Sequence, residues 1–145
     1  MSHQERASIV GLISGVLLNT YVVVRLWGLF ADDALTGEDA PMLWARAIVW
    51  VIPAAIAISA GASLVFAMAA RGDKRHSVVD ERDHLFQYRG LGVLVTATAV
   101  GFMGMIISLA LGVPVVIALT IMYGAVAIGD VVGNIVRIAS YRIGG

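Results

Sequence analysis

Residues 91–139 read LGVLVTATAVGFMGMIISLALGVPVVIALTIMYGAVAIGDVVGNIVRIA, two apolar runs joined by Gly112, Val113 and Pro114. Each run is long enough to cross a hydrocarbon core of about 30 Å, at about 1.5 Å of helix per residue. Inside a bilayer every peptide N–H and C=O must find its partner internally, and runs this long and uniformly apolar do not suit barrel strands. Helices are therefore expected over 91–111 and 115–139. Two further runs precede them, at 9–30 and 43–70. The first is about twice the length of a signal-peptide core and lacks a convincing small-residue cleavage site, so it is expected to be retained.

The composition agrees. Of the 145 residues, 59% are hydrophobic and 14% charged, against about 25% charged in a soluble domain. Ten basic side chains balance ten acidic ones, which argues against nucleic acid as a partner. With no cysteine, thiol nucleophiles, Cys-ligated zinc and iron–sulfur centres are excluded. The expected fold is all-α: an integral membrane four-helix bundle of two antiparallel transmembrane hairpins, forming a single transmembrane domain over 1–145.

Orientation follows from the basic residues alone. Segment 71–90 carries Arg71, Lys74, Arg75, Arg82 and Arg89, and the C-terminal end carries Arg137 and Arg142. Segment 31–41 has Asp32, Asp33, Glu38 and Asp39 and no basic residue. Both termini and loop 71–90 are therefore expected on the cytoplasmic side of the membrane, with the bilayer itself as the first partner. Trp27 and Trp44 beside the outer loop, and Tyr88 and Tyr141 at the inner boundary, fit aromatic belts.

Pro41 and Pro114 fall where helices begin and a missing N–H costs nothing. Pro53 lies inside the second run, where it removes a hydrogen bond to Val49 and is expected to kink the helix. Small residues recur four apart in every run: Gly11 and Gly15, Ala57 and Gly61, Ala97 and Gly101, then Ala125, Gly129 and Gly133. Lipid gives helices no hydrophobic reason to associate, so close backbone approach must supply the contact. These surfaces suit packing within the chain and also a homo-oligomer. The two halves show no internal repeat of the transporter kind.

Ser77 followed by Asp80 approximates a capping box, and Asp80, Glu81 and Asp83 crowd a first turn where the helix dipole favours acids. A helix from Val78 to Leu111 would be about 51 Å long, so roughly 20 Å would project into the cytoplasm. The run Asp80-Glu81-Arg82-Asp83, then Arg89-Gly90, then an intramembrane acid and Tyr141-Arg142-Ile143-Gly144, resembles a broad family of small bacterial multi-pass membrane proteins of uncharacterised activity. Their pattern is DERD, RG at the head of a helix, an acid within the membrane and a terminal YRRG. The resemblance covers 80–145, with Asp130 in place of the usual glutamate and Ile143 in place of the second arginine. It implies a membrane class and no mechanism.

With a turn centred on Val113, residues across the last hairpin share a depth when their numbers sum to about 226. Arg137 is then level with Arg89, and Arg142 with His84. Asp80, Glu81 and Asp83 are expected to pair with Arg137 and Arg142 and lock the inner ends of the hairpin, each exposed pair contributing about 0 to 1 kcal/mol. A recognition role for this cytoplasmic cluster, Asp80, Glu81, Arg82, Asp83, Arg89, Arg137 and Arg142, is the alternative. His76, Asp80 and His84 share a helical spacing that suits zinc, but Ser77 as cap places His76 outside the helix, and no metal is expected.

Asp130 stands in the inner half of the last run. A carboxylate near the bilayer centre costs about 2.5 to 3.5 kcal/mol on insertion scales, so it should face protein or water. Asn134 and Arg137 follow on the same face. Asp130 either fastens the bundle, with Thr96 or Thr98 as partners at matching depth or a basic group below it, or serves as a proton or cation relay. Arg25 and Arg46, near the outer surface, are expected to snorkel toward the acids of 31–41, with an anion or headgroup contact as the alternative. Asn19 and Thr20 read as interhelical hydrogen-bond glue. No Ser–His–Asp set, Glu-x-x-His pair or phosphate-cradling loop is present. The expectation is a non-enzymatic interaction or regulatory subunit without cofactor, with a protein partner at the cytoplasmic face; the alternative is an oligomeric channel or transport component using Asp130.

Overall fold

The structure, a computed structural model, describes residues 3–69 and 81–143, without the side chains of 3–6, 59, 63, 66, 67, 69 and 81–83. These residues form α1 (His3–Ala31), α2 (Ala40–Ile48), α3 (Val51–Ala69), α4 (Glu81–Ala110) and α5 (Val115–Ile143). Among the described residues there is no strand. Four stretches, Ala7–Ala31, Ala40–Ala62, His84–Ala110 and Val115–Ile143, are long and apolar enough to span a bilayer. The chain is thus an all-helical multi-pass membrane protein whose elements fit a helical bundle.

Pro53 explains why one span contains two helices. Its missing N–H leaves the carbonyl of Val49 without the usual helical donor, and the helix breaks at Val49 and Trp50, one turn ahead of the proline. Hydrogen bonding resumes on either side, with Val49 N–H donating to Ala45 O at 2.9 Å and Ala54 N–H to Trp50 O at 3.2 Å. The turn between α4 and α5 closes through Gly112, whose φ of 76° no side chain adopts readily. Val113 N–H donates to Ser108 O and Gly112 N–H to Leu109 O, the double bond pattern that ends a helix on a left-handed residue. At the end of α1, Asp33 takes the same role with φ 54°, and Ala34 N–H donates back to Leu29 O at 3.0 Å.

The boundaries depart from the apolar runs in one systematic way. α4 is described from Glu81, ahead of the apolar run at 91 and in line with the helix expected from Val78, while α5 ends at Ile143 instead of 139 and α1 begins at His3 instead of 9. Hydropathy marks the part of a helix that sits in lipid, whereas charged residues with good helical propensity continue the same backbone into water. Residues 81–90 of the expected cytoplasmic loop are accordingly the first turns of α4. His76, Ser77 and Asp80 lie outside the described residues.

α5 packs against both α4 and α1, and α1 packs against α2 and α3. The α4–α5 contact is the most extensive, and it is built from small residues. A Cβ on Gly129 would lie 2.6 Å from Ala97 Cβ, and one on Gly133 would lie 2.7 Å from the carbonyl oxygen of Gly90. Gly101 meets Ala125 in the same way. The Ala97–Gly129 and Gly101–Ala125 pairs fall in the register expected from the turn at Val113, and Gly90 meets Gly133 about one turn off it. The few enclosed apolar side chains gather in two places: Val22, Leu26 and Ala47 beside Trp44 and Tyr123, and Leu35, Ala40 and Val116 beside Leu29 and Leu43. Leu35 thereby pins the outer loop. Most other large apolar side chains face outward, Trp27 at 74% and Leu111 at 76% exposure among them, as expected where lipid covers the protein.

Candidate functional site

Thr120, Tyr123, Asp130, Asn134 and Arg137 recur at intervals of three, seven, four and three along α5, which at about 100° per residue aligns them on one face. That face carries polar groups along most of the helix and meets α1 and α2. At its outer end the Trp44 Nε1–H donates to Thr120 Oγ1 at 3.0 Å, while the Thr120 hydroxyl donates to Val116 O at 2.7 Å. The Trp44 and Tyr123 rings meet edge to face, with centroids 6.5 Å apart. Next inward, the Tyr123 hydroxyl donates to Asn19 Oδ1 at 2.7 Å. This bond ties α5 to α1 in the interior of the spans.

Asp130 and Asn134 form the inner part of the stripe. The Asn134 amide nitrogen donates to the Asp130 carbonyl at 2.9 Å and to its carboxylate Oδ1 at 3.2 Å. Both side chains lie on the glycine face of α1. A Cβ on Gly15 would stand 2.5 Å from Asp130 Oδ2, and one on Gly11 would stand 3.1 Å from Asn134 Oδ1. Gly11 and Gly15 thus make room for two polar side chains rather than for an apolar helix surface. Asn134 is buried as a result.

Several expected partners are different. Asp130 does not meet Thr96 or Thr98: the Thr98 hydroxyl donates to Leu94 O within α4, and Thr96 is exposed. Thr20 is no interhelical glue either, since its hydroxyl donates to Val16 O one turn back. A hydroxyl in a helix can always reach that carbonyl, so it needs no neighbour. Trp44 is half-buried, its indole bonded to Thr120, and Tyr141 packs edge to face against Phe86 at 5.1 Å. Tyr123 and Thr120 were missed as members of the stripe. Their spacing from Asp130 was the available signal.

Toward the C-terminal end of α5, Arg137 lies across Gly90, where a Cβ would overlap its Nε and Cγ. Its Nε is buried and has no hydrogen-bond partner. Arg89, one residue from Gly90, holds its guanidinium 5.8 Å from the Phe86 ring centroid, a cation–π distance. Arg142 is exposed in the last turn of α5, where its charge opposes the helix dipole favourably. Glu81, Arg82 and Asp83 occupy the first turn of α4; their side chains, and Asp80 altogether, lie outside the described residues. The expected pairing of these acids with Arg137 and Arg142 lies outside them too.

Around the loop between α1 and α2, Arg25 and Arg46 are exposed, as are Asp32, Asp33, Glu38 and Asp39. A cavity of about 400 Å³ opens between the outer loop and the start of α5, lined mainly by Phe30, Leu35, Pro41 and Val116, with Glu38 at its edge. Among the described residues no three His, Cys, Asp or Glu side chains gather as metal ligands; His84 is exposed on α4. The hydroxyls of Ser14, Ser108 and Thr120 donate to carbonyls of their own helices, not to a base that would activate them.

The Tyr123–Asn19 bond is the interhelical contact most open to measurement. Tyr123→Phe leaves Asn19 Oδ1 without its donor and is expected to destabilise the bundle by about 1 kcal/mol. In a double-mutant cycle with Asn19→Ala, the coupling should be about 0.6 to 1.7 kcal/mol, as for other polar pairs in membranes. Strictly additive losses in detergent unfolding would remove this bond from the account. Comparison of the chain with protein-family models, curated proteins and solved structures returned no match.

Proposed function

We propose that this is a non-enzymatic subunit of a bacterial inner membrane, with both termini cytoplasmic, that works by presenting the charged ends of α4 and α5 to a protein partner. The observation that carries the reading is that these two helices stay packed to their charged ends, with Phe86 against Tyr141. α4 has 30 residues and α5 has 29, or about 45 Å each against a hydrocarbon core of about 30 Å. The surplus is a paired two-helix projection bearing Glu81, Arg82, Asp83, Arg89 and Arg142. The distribution of basic residues supports the cytoplasmic side, and the DERD and terminal Tyr-Arg resemblance supports a bacterial membrane setting.

The inward polar groups support the same reading. Asn19, Tyr123, Asp130 and Asn134 are bonded to one another or seated on the glycines of α1, which is how a fastener is built. On α3 the small-residue face is open: Ala57 and Gly61 are exposed, and nothing lies within 4 Å of a Cβ on Gly61. That face supports association with a second copy. Such contacts in lipid rest on close backbone approach, which this face permits.

A photoreactive residue at His84 in intact cells is expected to give one discrete crosslinked product. The same residue at Thr36 should give none, and replacing Glu81 and Asp83 with Gln should remove the product at His84. Single cysteines at Thr36 and Ser77 provide the control for orientation, labelling from outside at Thr36 alone. No product at His84, with labelling as expected, would discard the partner while keeping the topology. Labelling of both positions from outside would discard the topology.

A further inference from the structure

We infer that Arg137 and Arg89 together form a binding site for the phosphate of an anionic phospholipid, where α4 and α5 leave the hydrocarbon. Depth comes first. Arg137 lies about 33 Å along α5 from Val115, and Arg89 about 33 Å along α4 from Leu111, so both reach the far edge of a core of about 30 Å. That edge is where lipid phosphates lie. The argument holds for either leaflet and does not depend on which side is cytoplasmic.

Preorganisation comes second. α4 and α5 are in close backbone contact where Gly133 meets the Gly90 carbonyl. The stem of Arg137 crosses Gly90 in space that any side chain would fill. The guanidinium is therefore held in one place by a glycine cradle instead of swinging free. Its Nε is enclosed with no acceptor, so no described carboxylate has taken up that edge of the group. A guanidinium at a membrane boundary meets its hydrogen-bonding demand best with phosphate oxygens, which its planar fork matches.

Arg89 supplies the second charge. It adjoins Gly90 in sequence and rests over Phe86, which Tyr141 of α5 holds in turn. Two guanidinium groups at one depth on two touching helices repel each other unless an anion lies between or beside them. Asp130, about 10 Å deeper along α5, attracts Arg137 through its charge but takes its hydrogen bond from Asn134 and leaves the Arg137 Nε without an acceptor. Glu81 and Asp83 begin α4 about 9 to 12 Å beyond Arg89 along the helix axis. The competing occupant is therefore one of these acids folded back, and lipid binding predicts a dependence on headgroup charge that such an acid does not.

The test uses the purified full-length chain in detergent with phosphatidylglycerol or phosphatidylcholine added, read by native mass spectrometry and by thermal unfolding. Phosphatidylglycerol should remain bound and raise the melting temperature above that in phosphatidylcholine. Arg89→Gln with Arg137→Gln should weaken phosphatidylglycerol binding about tenfold or more while melting normally in phosphatidylcholine. Arg137→Lys, which keeps the charge and loses the fork, should fall between. Should the double variant fail to fold, Arg89→Gln alone gives the readout, since Arg89 is exposed. Equal stability of the wild type in the two lipids would overturn the inference. So would an undiminished effect of phosphatidylglycerol on the Gln variants, or stabilisation by inorganic phosphate alone at matched concentration.

Discussion

Gly133→Ala is expected to separate α4 from α5 and to cause a large loss of stability for a single added methyl group. The new Cβ would lie 2.7 Å from the carbonyl oxygen of Gly90. That neighbour is backbone in the middle of a helix, so it cannot rotate away as a side chain would. Overpacking of this kind costs about 1 to 3 kcal/mol in a well-packed interior, and the upper end applies where only backbone can move. Gly92→Ala is the matched control: it lies on α4 with nothing within 4 Å of the added Cβ. It should be neutral or slightly stabilising, because alanine is the better helix former by about 0.5 to 1 kcal/mol. Unfolding of both variants in the same detergent measures the contrast. Equal behaviour of the two would mean that α4 and α5 do not meet at Gly90 and Gly133.

The second large effect lies at Gly15. A leucine there would displace the Asp130 carboxylate, whose Oδ2 stands 2.5 Å from the Cβ position. The carboxylate would turn toward lipid or lose its bond to Asn134, and α1 would move off α5. A loss of about 2 to 4 kcal/mol follows from overpacking combined with exposure of a polar group to hydrocarbon. Compensation separates this cause from a general intolerance of α1. Gly15→Ala combined with Asp130→Ala should lose less than the two single changes added together, because the second substitution vacates the space that the first one fills. Additive losses would show that Gly15 and Asp130 are not in contact.

How far the sequence could be read depended on which helices were being compared. α4 and α5 are joined by a three-residue turn, so one register parameter, the position of Val113, places Gly101 beside Ala125, Ala97 beside Gly129 and Arg137 beside Gly90. Pro53 was equally legible, because the cost of a missing N–H is local. The contact of α1 with α5 was not. These helices are remote in sequence, no short turn fixes their register, and nothing local ties Asn19 to Tyr123 or Gly15 to Asp130. Small residues announce a close approach without naming the partner. For that reason the sequence offered Thr96 or Thr98 across the nearer interface, or a basic group below, as partners of Asp130; Arg137 acts on it through charge, while its space is provided by α1.

For the aromatic residues, rotation about the helix axis was not legible, for a related reason. Trp44 and Tyr141 lie near the ends of apolar runs, where rings at the headgroup level are common. The structure turns both toward other helices, and Trp27 remains exposed as expected. Position along a span gives depth, whereas the choice between lipid and protein depends on rotation about the helix axis. That rotation is set by packing against the neighbouring helices. The polar stripe of Thr120, Tyr123, Asp130, Asn134 and Arg137 contains the information for α5, and it was read only from Asp130 inward.

The stripe also bears on whether Asp130 moves ions. A relay needs polar groups that remain open to water or to one another in sequence; here Tyr123 is closed by Asn19, and Asp130 and Asn134 are closed by each other and by the glycines of α1. Proton and cation flux through proteoliposomes of the purified chain tests this most directly. A structural stripe predicts flux equal to that of empty vesicles for the wild type and for Asp130→Asn. Flux above empty vesicles that Asp130→Asn abolishes would contradict it and make the chain a transport component.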